Sequence, residues 1–202
     1  KKLRMKKDRL CKYYLQKSIN ASSIAHVDVM KRCRSFSNEA DIDSSFFSSI
    51  RLSSGELAYP TIAASGANAC VLHYIQNNKK LDKKDFVLLD AGAEYRGYAA
   101  DITRTFPVSG KFSSQQADLY NIVLNAQEAA ISMIKPNITW VDLEKKAREI
   151  LLDGCLQLNI FNDKALTLNR EELIKIVFPH GLGHHLGLDV HDACPKGRFE
   201  YA

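Results

Sequence analysis

The stretch LLDAGAEYRGYAADITRTFPVSG, residues 88–110, sets two carboxylates, Asp90 and Asp101, among apolar and β-favouring neighbours. Its lead-in, Phe86-Val87-Leu88-Leu89, is a short unbroken apolar run of the kind that forms a buried strand. Residues 102–106 alternate in a β-favouring composition. Between them Glu94-Tyr95-Arg96-Gly97 has the character of a turn, with a glycine available for positive φ. A hairpin whose loop is Tyr95-Arg96 places Asp90 directly opposite Asp101 on one face, with Cβ atoms about 5 Å apart. Like charges set that way destabilise a sheet unless a shared proton or a bound cation neutralises them. A slip of one residue would send the two to opposite faces.

Working outward, residues 3–34 are expected to form a helix, with Leu10, Tyr13, Tyr14, Ile24, Val27 and Met30 near a 3.6-residue period. A second helix is expected over 38–52, with Ile42, Phe46 and Ile50 on one stripe and Ser53-Ser54-Gly55 as its stop. The segment TIAASGANACVLHY (61–74) alternates loosely around a Gly-Ala-Asn turn and predicts two strands, with His73 near the end of the second. Beyond the aspartates, Ser113 and Gln116 form a capping box for a helix buried through Leu119, Ile122, Val123, Ala126, Ala129, Ala130, Met133 and Ile134. Lys135-Pro136 ends it. Thr139 caps the next, with Asp142 and Glu144 in its first turn and Val141, Leu143, Ala147, Ile150, Leu151 and Leu158 on its apolar face. A short helix near 170–176 follows. Helices beside antiparallel strands give an α+β class.

A length of 202 residues and a 46% hydrophobic content supply a core for one large domain or two small ones. No apolar run reaches the length of a membrane span. Five scattered Cys (11, 33, 70, 155, 194), odd in number and without a C-x-x-C pair, predict reduced thiols and a cytoplasmic setting. The net charge of +5 is uneven: residues 1–17 hold eight Lys/Arg against one Asp. Such a segment suits nucleic acid or acidic lipid, but it lacks interleaved aromatics before Tyr13, and a solvated helix face is the simpler expectation. No nucleic-acid or membrane partner is therefore expected. The chain divides into a basic segment, 1–17, and a single further domain, 18–202.

Four of the six His fall within VFPHGLGHHLGLDVHDA (177–193): His180, His184, His185 and His191. Two His four apart in a glycine-rich segment suit a ligand or metal, although any one His is more often a satisfied buried residue. Two facing Asp with a His cluster make a mixed carboxylate and imidazole set, which admits Mn²⁺, Zn²⁺ or Co²⁺. Cations shared by the aspartates would remove their repulsion.

These two blocks, LLDAGAEYRGYAADITRTFPVSGKF and FPHGLGHHLGLDVHD, resemble the pita-bread metallopeptidases, in particular the Xaa-Pro dipeptidases (prolidases) and aminopeptidase P. The resemblance covers roughly residues 58–193 and is traceable back to about 20. It implies a pita-bread fold, incomplete at its C-terminal end, and metal-dependent hydrolysis of the Xaa-Pro bond. It further implies two divalent ions, manganese first with zinc or cobalt as alternatives, on Asp90, Asp101 and His184. His180 and His191 are implied as catalytic contacts. Tyr59, His73, His180 and His191 are implied as substrate contacts for a proline-containing peptide, and His185 as structural. A homodimer is expected of the complete protein. The chain departs from the family at Gly66-Ala67-Asn68, and the family's two glutamate ligands have no counterpart in it, since Glu200 has no matching context. A truncated chain of this kind would lack activity by itself. The alternatives are a non-catalytic peptide- or protein-binding module of the same fold and a creatinase-like C–N hydrolase; a methionine aminopeptidase matches ADITRTFPVSGKF less well.

Overall fold

A computed structural model describes residues 2–53 and 55–193. Cys194 and Glu200 lie outside the described residues. The chain forms two compact units, one built up to Phe112 and joined by the stretch that begins at His184, the other spanning Ser113–Gly183.

The first unit opens with α1 (Lys2–Met5) and α2 (Arg9–Arg32). The single helix expected over 3–34 is thus broken at residues 6–8, where the Asp8 carboxylate leaves helical backbone and accepts from the Cys11 amide as the cap of α2. Helix α2 then passes through residue 17 without interruption. Its buried face is also not the expected one. Leu10, Tyr13, Ile24 and Val27 are exposed, and Ser18, Ser22, Ala25, His26 and Val29 face inward. Small and hydrogen-bonding side chains let the helix lie close to the sheet. Helix α3 (Glu39–Leu52) matches the expected span, buries Ile42, Phe46 and Ile50, and is closed at its start by an Asn38–Asp41 capping box.

Two three-stranded antiparallel sheets follow. One orders β1 (Glu56–Leu57), β4 (Ala93–Tyr95) and β5 (Tyr98–Ala99); the other orders β2 (Ile62–Ser65), β3 (Phe86–Ala91) and β6 (Ile102–Pro107). The second strand expected before residue 74 does not form. Gly66–Cys70 closes into a 3₁₀ turn, and His73 takes a left-handed φ of 56°. Extended pairing cannot pass through such a residue.

The hairpin exists, but its loop lies one residue further on. Tyr95 pairs with Tyr98, so Arg96 and Gly97 are the loop, with φ of 52° and 84°. Positive φ at both central positions is the two-residue turn that matches strand twist, and it needs the glycine inside the loop. In consequence Asp90 pairs with Thr103, not Asp101. The offset is two residues, so Asp101 stays on the same face as a diagonal neighbour of Asp90.

Between β3 and β4 the ladder is interrupted at Gly92, where an added Cβ would lie 1.8 Å from the Ala100 carbonyl oxygen. Helix α2 supplies bonds on both sides of this break. His26 Nε2 donates to the Ala91 carbonyl, and the Ala93 amide donates to Ser22 Oγ. The core of this unit joins Ala25, Val29, Ile42, Phe46 and Ile50 to Val87, Leu89, Ala91 and Phe106.

The second unit holds α4 (Ser114–Ser132), α5 (Trp140–Gln157) and α6 (Arg170–Val177). Ser113–Gln116 closes the expected capping box, and Thr139 caps α5 as expected. Ala126, Ala130, Ala147, Leu151, Leu152, Leu173 and Ile174 make its core. The predicted buried face of α4 is only half used. Leu119, Val123 and Ile134 are exposed, as are Val141 and Leu158 of the face predicted for α5.

Candidate metal centre

The site is assembled inside the first unit. Asp90 comes from the half-buried face of β3, and Asp101 from the residue just before β6. Tyr59 precedes β2, in a segment fixed by the bond from the Ala58 amide to the Gly92 carbonyl. A Cβ at residue 92 would also approach the Tyr59 ring to 3.1 Å, so the glycine that breaks the ladder also makes room for the tyrosine. The Tyr59 hydroxyl lies 2.6 Å from Asp90 Oδ1 and 3.0 Å from Asp101 Oδ1. One hydroxyl proton thus serves two carboxylates.

His184 enters from the glycine-rich segment and donates through Nε2 to Asp101 Oδ2 at 2.9 Å, while its Nδ1 faces the His185 carbonyl at 3.1 Å. The His191 ring stacks on it, with centroids 3.9 Å apart and planes 17° from parallel. Ligand atoms of Asp101, His184 and His191 lie within 4.8 Å of one another.

The charges respond accordingly. Burial pushes the Asp90 carboxyl above the usual range, and the neighbouring Asp101 adds to it against bonds from Tyr59 and Thr103. Burial also pushes Asp101 up, but the bonds from His184 and Tyr59 outweigh it and hold that carboxyl below the ordinary value. The Asp101 bond raises His184, and burial followed by the charge of His184 lowers His191. Burial and the two carboxylates drive the Tyr59 hydroxyl far above a normal phenol, so it remains a donor.

Sequence reasoning places Asp90, Asp101, His184, His191 and Tyr59 at the site, and the structure brings all five together. His73 is near enough for its charge to lower His191. His180 belongs to the second unit, where its Nδ1 meets the Gly181 carbonyl at 2.8 Å and its ring packs on Phe178. His185 contributes its carbonyl, which takes His184 Nδ1 and the Asp192 amide. Thr103, the partner of Asp90 in the ladder, was missed; only a correct register exposes it. His26, buried at 2% exposure behind the Ala91 carbonyl, was also missed, because it is the one His outside the two motifs and the 61–74 segment.

The donor set fits a divalent cation. Two carboxylates converge, offset by the shared Tyr59 hydroxyl, a Thr103 side-chain bond to Asp90 and one imidazole, and the oxygen and nitrogen donors are those that Mn²⁺, Zn²⁺ and Co²⁺ accept. The His185 carbonyl favours a proton on His184 Nδ1, so Nε2, which now donates to Asp101, is the nitrogen that would lose its proton to take a cation.

The model of metallopeptidase family M24 matches residues 14–201. The chain belongs to metallopeptidase family M24. The M24 chain is 44% identical over 181 residues to a probable Xaa-Pro aminopeptidase of Paracoccidioides lutzii, covering 88% of this chain and 36% of that protein. It is 38% identical over 198 residues to one of Fusarium vanettenii, covering 98% and 42%. Among solved structures it is similar to zinc-substituted Escherichia coli aminopeptidase P in complex with product, at 34% identity and a TM-score of 0.88 over 99% of this chain and 46% of that one. Yersinia pestis proline aminopeptidase P II gives 35% and 0.88 over 96% and 45%. The α+β fold of the M24 chain is therefore the pita-bread fold, and the chain spans less than half the length of these relatives. Among the described residues no helix is long and apolar enough to cross a membrane.

Proposed function

We propose that this chain is part of a hydrolase that cleaves the peptide bond before proline, with Asp90, Asp101 and His184 holding two divalent cations, manganese in preference to zinc or cobalt. The observation that carries this reading is the convergence of both carboxylates on the Tyr59 hydroxyl, with His184 Nε2 bonded to the far oxygen of Asp101. The names of the relatives favour an aminopeptidase over a dipeptidase.

The scissile bond is a tertiary amide without N–H, in a backbone whose φ the ring fixes. The bound cations would supply an activated water and polarise the carbonyl. Asp90 and Asp101 provide the negative charge that retains the cations, and Thr103 steadies Asp90. Tyr59 orients both carboxylates, and with His73 it shapes the pocket for the proline ring. His191, stacked on His184, orients the peptide or carries a proton. The complete protein acts in the cytoplasm as a homodimer.

Asp90→Asn or His184→Ala in the complete protein is expected to lower manganese-stimulated hydrolysis of an Ala-Pro peptide by at least about 100-fold, since even groups that only support a metal ligand are worth 10–100-fold. Undiminished hydrolysis in either variant would overturn the assignment. Tight manganese binding by the complete protein without hydrolysis would leave the peptide-binding module as the better reading.

A further inference from the structure

The basic amino-terminal segment does not spend its charge on solvent alone. Arg4 Nη2 bonds Asp192 Oδ1 and reaches Asp189 Oδ2 at 2.5 Å, while Lys7 Nζ reaches Asp192 Oδ2 at 2.5 Å. The Asp192 side chain is 1% exposed and has both oxygens engaged by cations from the other end of the chain. Lys7 also bonds the Arg4 carbonyl, which ties the turn after α1 to the same point.

Asp192 follows His191 directly. Its amide donates to the His185 carbonyl at 2.9 Å, the same carbonyl that faces His184 Nδ1. The Gly187 carbonyl accepts from the Ala99 amide on β5. Among the described residues the loop 184–192 is thus tied to the sheet region through the Gly187 carbonyl and the His184–Asp101 bond, tied internally from Asp192 to His185 and from Gly187 to Asp189, and tied by charge to Arg4 and Lys7. Gly187 shows how closely this last tie is packed. A Cβ there would lie 1.8 Å from Asp192 Oδ2 and 2.9 Å from Lys7 Nζ. A buried carboxylate with both oxygens paired holds position far better than a surface ion pair, which is worth little.

We propose that Arg4 and Lys7 form a strap that positions the histidine loop, by fixing Asp192 and through it His191 and His184. They are positioning residues: neither touches the metal centre. The proposal deepens the metal-site reading above, and its consequence for metal affinity rests on that reading; the ordering of the loop does not.

The test is the double variant Arg4→Met/Lys7→Met in the full chain, with Gly187→Ala as a second route that displaces the same carboxylate while leaving the amino terminus intact. Amide hydrogen exchange without metal reports the loop, and calorimetric titration with Mn²⁺ reports the centre. The strap predicts that exchange across residues 184–192 rises at least about tenfold in both variants, while amides of α3 and β3 keep their wild-type rates. It predicts that Mn²⁺ affinity falls about 10-fold or more, as for loss of groups that support a ligand, and that Arg4→Lys/Lys7→Arg restores both. Unchanged exchange in the loop overturns the strap whatever the titration gives. So does exchange that rises equally in α3 and β3, which is loss of the fold. A loosened loop with unaltered Mn²⁺ affinity keeps the strap and removes His184 from the metal-site reading.

Discussion

Glu39 is fully buried, yet no cation pairs with it among the described residues. Its carboxylate instead takes five donors: the Ser65 amide and hydroxyl, the Asn68 amide group, the Tyr74 hydroxyl and the Lys79 amide. These donors bracket the segment that carries His73, so one side chain at the start of α3 determines how residues 65–79 fold back beside the sheet. Burial pushes the Glu39 carboxyl up, but the bonds from Lys79, Tyr74, Ser65 and Asn68 outweigh it, and the net shift is below the ordinary 4.5. A group depressed on folding contributes stability that is fully present above its unfolded value. That contribution fades as pH falls below about 4.5 and is gone below the folded value. Glu39→Ala leaves five donors without their acceptor and is expected to cost at least about 3 kcal/mol in urea unfolding at neutral pH. Glu39→Gln keeps the shape but loses the charge, and should flatten the acid limb of the stability curve. An unchanged limb in Glu39→Gln would show that other carboxylates carry it.

At the scale of elements, Gly92 decides how the two sheets meet. Its missing Cβ lets the Ala100 carbonyl close on the backbone and lets the Tyr59 ring approach, so one position serves both strand geometry and the site. Gly92→Ala is expected to destabilise the chain by at least about 2 kcal/mol, because backbone rather than a flexible side chain must yield. It should also weaken Mn²⁺ binding, because Tyr59 must move off the two carboxylates; a calorimetric titration with wild-type affinity would refute that coupling. The sequence carried the strand, the hairpin and the helix caps here, since Asn, Ser and Thr caps and a Gly-bearing turn act locally. It misplaced the hairpin loop by one residue because Tyr95-Arg96 and Arg96-Gly97 are both turn-like, and only the twist of the flanking strands chooses between them. The aspartates stayed on one face despite the error, since an offset of two preserves the side-chain period. The buried face of α2 was not legible. Its contacts are made by Ser22 and His26 with backbone groups that a ladder break leaves open, and no hydrophobic period records that. The 3₁₀ turn at Gly66–Cys70 was equally hidden, because it depends on Glu39 far earlier in the chain.

For the whole molecule, a cation held by these residues would act on stability as well as on chemistry. Asp90, Asp101 and His184 come from separate parts of the first unit, and the unfolded chain does not hold them together. A cation that binds the folded form alone must therefore stabilise it by mass action, by about 2.7 kcal/mol at a free concentration 100 times its dissociation constant. For a chain of this size that is a rise of roughly 5–10 °C in the melting midpoint. The site explains why the folded form tolerates such a centre without metal: Tyr59 and His184 supply the donors that hold two carboxylates together at some cost in charge repulsion. A cation bound there would relieve that repulsion, so the thermal shift should scale with the logarithm of Mn²⁺ concentration above the dissociation constant. Far-UV circular dichroism melts of the wild-type chain and of Asp90→Asn, each with and without Mn²⁺, measure it. The wild-type shift should vanish in the variant. An equal shift in Asp90→Asn would mean that Mn²⁺ acts elsewhere on the chain, and that the two strand aspartates meet for a reason other than a metal.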